Sequence, residues 1–199
     1  MTRVVFLVVL ALALSACGST AHRKPAASAA RAQPTCPAAW RDGWQKLANR
    51  IDAPVYCPSW IPRPLTARIG GVYTDINSVK RDRSYLISFV WFESGSGEVH
   101  VNFRGYPGRR RIPICSDLDT NKPVSCFSDP KGSVHTRNIT ARVYTANQGV
   151  DQWHLLYAWR HNGSLYTISE HITFPYTYSE TVQNMQRMLA GLVLLRPTS

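Results

Sequence analysis

The sequence lacks the short patterns that would identify an enzyme by its letters. It has no Gly-x-Ser-x-Gly turn, no His-Glu-x-x-His helix and no glycine-rich phosphate loop. Serine hydrolases of the α/β type, zinc peptidases and P-loop nucleotide enzymes are thereby set aside. Ser128-Asp-Pro-Lys131 matches Ser-x-x-Lys in letters only, because Pro130 opposes the helical turn that would bring its serine and lysine together. No Cys-x-x-Cys is present, which removes the usual dithiol redox centre and the paired spacing of zinc ribbons. Acidic residues are scarce, 12 against 23 basic ones, yet the charged fraction of 18% with 44% hydrophobic residues excludes a disordered chain. No apolar run reaches the ~20 residues a membrane-spanning helix needs; the leader stretch Val4–Leu14 falls well short.

What that short run does resemble is an export signal. Arg3 precedes it, small residues follow it, and Leu14-Ser15-Ala16-Cys17 closes it. This pattern resembles the lipobox of bacterial lipoproteins. The resemblance implies that Cys17 takes a diacylglyceryl group on its thiol, and that cleavage before it leaves an acylated N-terminus. It implies a lipid-anchored protein on the extracytoplasmic face of the cell membrane.

Residues 18–34 contain no large apolar side chain and read as a tether holding a domain ~20–30 Å from the lipid. The division is therefore a signal peptide at 1–16, an acylated cysteine and tether at 17–34, and one domain at 35–199. Loss of the leader removes Arg3 and no acid, so the net charge falls from +11 to +10. That excess favours anionic phospholipid or acidic wall polymers as surroundings. An exported address sets nucleic acid aside as a partner.

Four cysteines follow Cys17, an even number in an oxidising compartment, which argues for disulfides. Three pairings are possible in principle. Proximity favours Cys36–Cys57 and Cys115–Cys126, each bracketing a compact segment.

Hydrophobic periodicity gives the elements. Trp40, Trp44, Leu47, Ala48 and Ile51 recur at helical spacing, with Pro37 suited to the first turn and an end near Asp52–Pro54. The following Val55–Pro58 segment, rich in neighbouring prolines, is expected to be extended and unpaired. Tyr85–Phe92 and Glu98–Arg104 form a hairpin if Phe92 faces Glu98, which gathers Ile87, Phe89, Val101 and Phe103 on one side. A second hairpin turns at Asn162-Gly163, with His161 opposite Ser164. A strand over Ile139–Ala146 precedes it, and another is expected around Leu65–Tyr73. A last helix starts at the capping-box pair Thr177 and Glu180, has Val182, Met185, Leu189 and Leu192 as its apolar stripe, and has Gly191 at or near its end. The sum is α+β: an antiparallel sheet of about five or six strands, with the N- and C-terminal helices packed on one face. The order from Trp159 to Pro197, hairpin then helix then Leu192-Val-Leu-Leu, is similar to the ending of extracytoplasmic bacterial domains of unknown function. That similarity implies a fold and no activity.

The second hairpin's register sets His154 across from His171 on the polar face, close enough to share a metal ion. Two imidazoles fall short of the three or four ligands tight zinc binding needs, so no cofactor is implied. The same register turns Glu170 into the aromatic face, where it must find a partner, an arginine or water at a sheet edge, unless it meets a ligand or takes a proton. Trp40, Trp44, Trp91, Trp153 and Trp159 fall on buried faces, leaving Trp60 as the exposed tryptophan for a ligand surface. Arg109, Arg110 and Arg111 form a basic loop that suits lipid head groups or an acidic partner. The function these residues support is a non-enzymatic binding or interaction domain. The alternatives are a carrier of an apolar or glycan ligand, held between sheet and helices, and a small hydrolase using Glu170 or the histidines.

Overall fold

The computed structural model describes residues 32–65, 78–93, 97–117, 119–147 and 153–198. Cys17 and most of the tether lie outside them, as does the strand expected around Leu65–Tyr73 beyond Leu65 itself. The elements run α1 (Ala38–Ile51), β1 (Val55–Pro58), β2 (Ser78–Val79), β3 (Tyr85–Glu93), β4 (Gly97–Tyr106), β5 (Ile114–Ser116) and β6 (Pro123–Ser125). They continue with β7 (Phe127–His135), β8 (Thr140–Asn147), β9 (His154–His161), β10 (Ser164–His171), α2 (Tyr178–Ala190) and β11 (Leu192–Leu195). The class is α+β with antiparallel sheets. The main sheet has seven strands among the described residues, in the order β2-β3-β4-β10-β9-β8-β7.

Both hairpins take the registers that alternation demands. Phe92 faces Glu98, and His161 faces Ser164. Asn162 and Gly163 both have positive φ, 46° and 78°, as a type I′ turn needs. The two hairpins then meet through β4 and β10, Val101 opposite Glu170 and Phe103 opposite Ile168. Gly105 sits where the ring of Tyr85 crosses the backbone; a Cβ there would lie 2.2 Å from the ring.

Three expectations are corrected. The sheet is wider than five or six strands because neither the two-residue β2 nor β7 was anticipated. The sequence of β7 is polar and holds Pro130, which an edge strand tolerates; the register shifts between Pro130 and Ser133 at a bulge. The segment Val55–Pro58 is not unpaired, since it forms a two-stranded sheet with β11, Val55 opposite Leu195. This is also why α2 stops at Ala190, with Gly191 as its C-cap, and Leu192 belongs to a strand.

α1 is amphipathic as expected, with Trp44, Leu47, Ala48 and Ile51 buried. Pro37 is its N-cap rather than part of its first turn, and Asp52 ends it in the left-handed region. Trp40 meets Phe89 and Trp44 meets Phe103, both edge-on at ring distances of 5.6 and 5.7 Å. α1 thus begins over the half of the sheet where β4 starts, and ends beyond it, toward the Asn162-Gly163 turn. Both disulfides form, Cys36–Cys57 fastening the start of α1 to β1 and Cys115–Cys126 joining β5 to the start of β7.

Candidate functional site

Strand alternation separates the two titratable groups that the sequence places side by side. His171 and Glu170 are neighbours on β10, so their side chains leave opposite faces of the sheet. His154 lies opposite His171 as predicted, with the rings stacked at 4.9 Å and 13°. A third imidazole joins them. His100 of β4 has its ring 4.6 Å from that of His154 and 5.2 Å from that of His171. Nε2 of His100 and Nε2 of His154 stand 2.7 Å apart, so one nitrogen carries a proton and the other accepts it. His154 is buried, with Asn147 donating to its carbonyl oxygen at 2.7 Å. Among the described residues, no three His, Cys, Asp or Glu side chains are arranged to hold a metal ion. The stacked rings serve one another as partners.

Glu170 faces α2. It is 0% exposed in a central strand, so neither a sheet edge nor water reaches it, and its partner is Asn184 rather than an arginine. Asn184 Nδ2 donates to its Oε1 at 2.9 Å, while its Oε2 and the hydroxyl of Thr181 on α2 have no partner among the described residues. Burial pushes the carboxyl up to about 8, and the bond from Asn184 restores only part of that rise. Burial likewise raises Tyr157 to about 12, with Tyr178 and Glu170 adding to it. Tyr176 is raised as well, first by burial and then by Glu170, and its hydroxyl donates to the carbonyl of Arg63. At neutral pH Glu170 is therefore protonated, the state a buried, singly bonded carboxyl prefers.

Two tryptophans exchange their expected places. Trp60 is half-buried against the core and lies under the guanidinium of Arg187, 3.8 Å from its ring centre. Trp153, expected in the core, is 74% exposed. It precedes β9 with φ 61°, and that left-handed turn takes its side chain out of the strand's alternation. Phe174 and Tyr178 are also exposed. Ile172 donates to the carbonyl of Trp153 at 3.0 Å, which places Trp153 and Phe174 at the same end of the sheet.

The arginine loop is at the other end and has company. Three connections converge there. The turn between β2 and β3 carries exposed Lys80, Arg81 and Arg83. The connection after β4 carries exposed Arg109, Arg110 and Arg111, and Arg160 comes from the end of β9. Contacts tie the loops together. Arg109 pairs with Asp82 at 2.7 Å, Arg160 Nε donates to the carbonyl of Arg110 at 2.9 Å, and Gly108 N–H donates to Ser164 Oγ at 3.1 Å. Asp82 is held below the usual carboxylate range, chiefly by the hydroxyl of Ser84 and further by Arg109 and Lys80. Beside this group opens a cleft of about 110 Å³, walled in part by Ser78, Lys80, Arg104 and Tyr106 and by the Cys115–Cys126 bridge. Sequence reading found one of the three loops. The others could have been marked by the run Lys80-Arg-Asp-Arg83 and by Arg160 next to a type I′ turn.

No protein family, curated protein or solved structure matches the chain.

Proposed function

We propose that this chain is a lipid-anchored lipoprotein of the bacterial cell envelope whose folded domain acts by binding rather than by catalysis. The observation that carries the reading is the cysteine pairing. Cys36–Cys57 and Cys115–Cys126 consume four of the five cysteines, and the remaining one, Cys17, is the residue that a lipobox requires. Two disulfides suit an oxidising compartment, and a mature chain of net charge +10 suits an anionic one.

The arrangement of the titratable groups favours binding. Glu170 and the three histidines leave opposite faces of one sheet, so they do not work as one acid–base set. Ser128 and Lys131 sit on an irregular edge strand instead of successive helical turns. A two-layer domain with both helices over one face of the sheet fits the contacts of Trp44 with Phe103 and of Asn184 with Glu170. Phe103 and Glu170 share a face through their pairings with Ile168 and Val101. That interior is filled by Trp44, Phe89, Phe103, Leu155 and Tyr157, which favours a surface for ligands over a carrier's cavity.

Expression of the full-length chain and its Cys17→Ala variant in a bacterium tests the address. The wild type should partition with membranes, and its N-terminal peptide should show a diacylglyceryl cysteine by mass spectrometry. The variant should lose both. Equal membrane partition of the two proteins, or a mature N-terminus elsewhere, would refute the reading.

A further inference from the structure

The basic loops and the point where the chain enters the domain lie at opposite ends of α1. Cys36 and Pro37 lead into the start of that helix. Arg83 Nη1 donates to the carbonyl of Ile51, its last residue. A helix of 14 residues covers about 21 Å, so the basic loops stand roughly that far along α1 from Cys36, where the chain enters the domain. At physiological salt a charge is felt over roughly 8 Å, far less than this separation.

We propose that the connections at 80–84 and 107–111, together with Arg160, form a docking surface for an anionic phosphodiester polymer of the cell envelope. The assignment of such a polymer rests on the lipoprotein reading; the basic surface itself does not. Arginine supplies every cation but Lys80, and its planar fork pairs two N–H groups with one phosphate, which lysine cannot do. Among the described residues, no hydrogen bond or ion pair engages the guanidinium groups of Arg81, Arg110 or Arg111. All three are exposed and therefore available. Within the loops one carboxylate, Asp82, offsets part of the charge, and Asp52 at the end of α1 borders it. Crowded like charges repel, and a polymer with regularly spaced anions relieves that repulsion while releasing its own counterions. The cleft beside Lys80 adds a recess lined by Ser78, Lys80 and Ser84 at the edge of the surface.

A membrane bearing anionic lipid offers the same phosphate chemistry, and the test separates the two sources. The test uses the full chain in zwitterionic proteoliposomes and fluorescent poly(glycerol phosphate), measured by co-sedimentation. Binding should weaken at least tenfold between 50 and 200 mM salt, as neutralisation of several phosphates requires. It should also weaken at least tenfold in the Arg81→Gln/Arg110→Gln/Arg111→Gln variant at an unchanged Tm, and more in Arg110→Glu/Arg111→Glu. Equal binding by wild type and both variants overturns the proposal. So does capture of phosphatidylglycerol vesicles without capture of the polymer, which would make the surface lipid-facing. The Cys17→Ser chain, unlipidated, is run alongside in solution. Polymer binding by that chain, combined with membrane partition that does not depend on Cys17, would show the anchor reading alone to have failed.

Discussion

The two ends of the main sheet carry charge in contrasting ways. At the end defined by the Asn162-Gly163 turn, cations crowd together but stay exposed, each able to keep its hydration. Toward the other end, the titratable groups lie within the sheet itself: Glu170 is fully buried under α2, and His154 is buried against His100 and His171. Solvated charges cost the fold little and are available to a partner, whereas a buried carboxyl ties stability to pH. Substitutions should accordingly move stability at the buried end and binding at the exposed end.

Glu170→Gln should produce the largest effect. The carboxyl ionises near its ordinary 4.5 in the unfolded chain and near 8 in the fold. Between those values the unfolded chain has released a proton that the fold retains, so rising pH favours unfolding. The contribution is complete below 4.5, declines through the window and levels off above 8. Its span is on the order of 5 kcal/mol, at about 1.4 kcal/mol for each tenfold difference in proton affinity between fold and unfolded chain. Urea unfolding at several pH values should show the variant more stable than wild type by about 4 kcal/mol at pH 8, and similar to it at pH 4. Parallel pH profiles for the two proteins would remove Glu170 from its special place in the comparison.

Cutting the Cys36–Cys57 bridge should come next. It closes a loop with a sequence separation of 21, and the chain-entropy model gives about 3 kcal/mol for such a loop. Cys36→Ser/Cys57→Ser should lower the unfolding free energy by that amount without changing how stability varies with pH. A smaller loss awaits Thr177→Ala at the head of α2. Thr177 accepts from the Glu180 N–H while the Glu180 carboxylate accepts from the Thr177 N–H at 2.8 Å, so the change should cost about 1 kcal/mol. If Thr177→Ala also altered the pH profile, α2 would be coupled to Glu170 more tightly than the single bond from Asn184 implies.

Much of this contrast was legible in residues close along the chain. The hairpin registers followed from alternation and from Asn162-Gly163, and they placed His154 against His171 and turned Glu170 inward. Contacts between distant segments were not legible. His100 joins the histidines because β4 pairs with β10, and neither hairpin's own pattern says which strand its edge will meet. Asn184 reaches Glu170 from a helix whose rotation over the sheet no local pattern sets. β7 escaped because an exposed edge strand with Pro130 and Gly132 carries no alternation and only two strand-forming side chains, Phe127 and Val134. Trp153 misled because a single left-handed residue cancels the alternation that assigned it inward. At the basic end, each loop was visible as composition, while their convergence required the completed sheet.

The smallest expected effect on stability is also the sharpest probe of the exposed end. Asp82 is the carboxylate inside the basic loops, bonded to the Ser84 N–H and hydroxyl and paired with Arg109. Asn keeps an oxygen for the turn and removes the charge, so Asp82→Asn should change stability by less than about 1 kcal/mol, the scale of exposed ion pairs. The same change frees Arg109 and makes the local charge more positive by one. Affinity for poly(glycerol phosphate) should rise a few-fold at low salt, and the gain should shrink as salt is added. A binding curve that does not respond to Asp82→Asn would mean that the polymer sits elsewhere. A large loss of stability would mean that this end is held together by its charges, and the contrast between the two ends would fall.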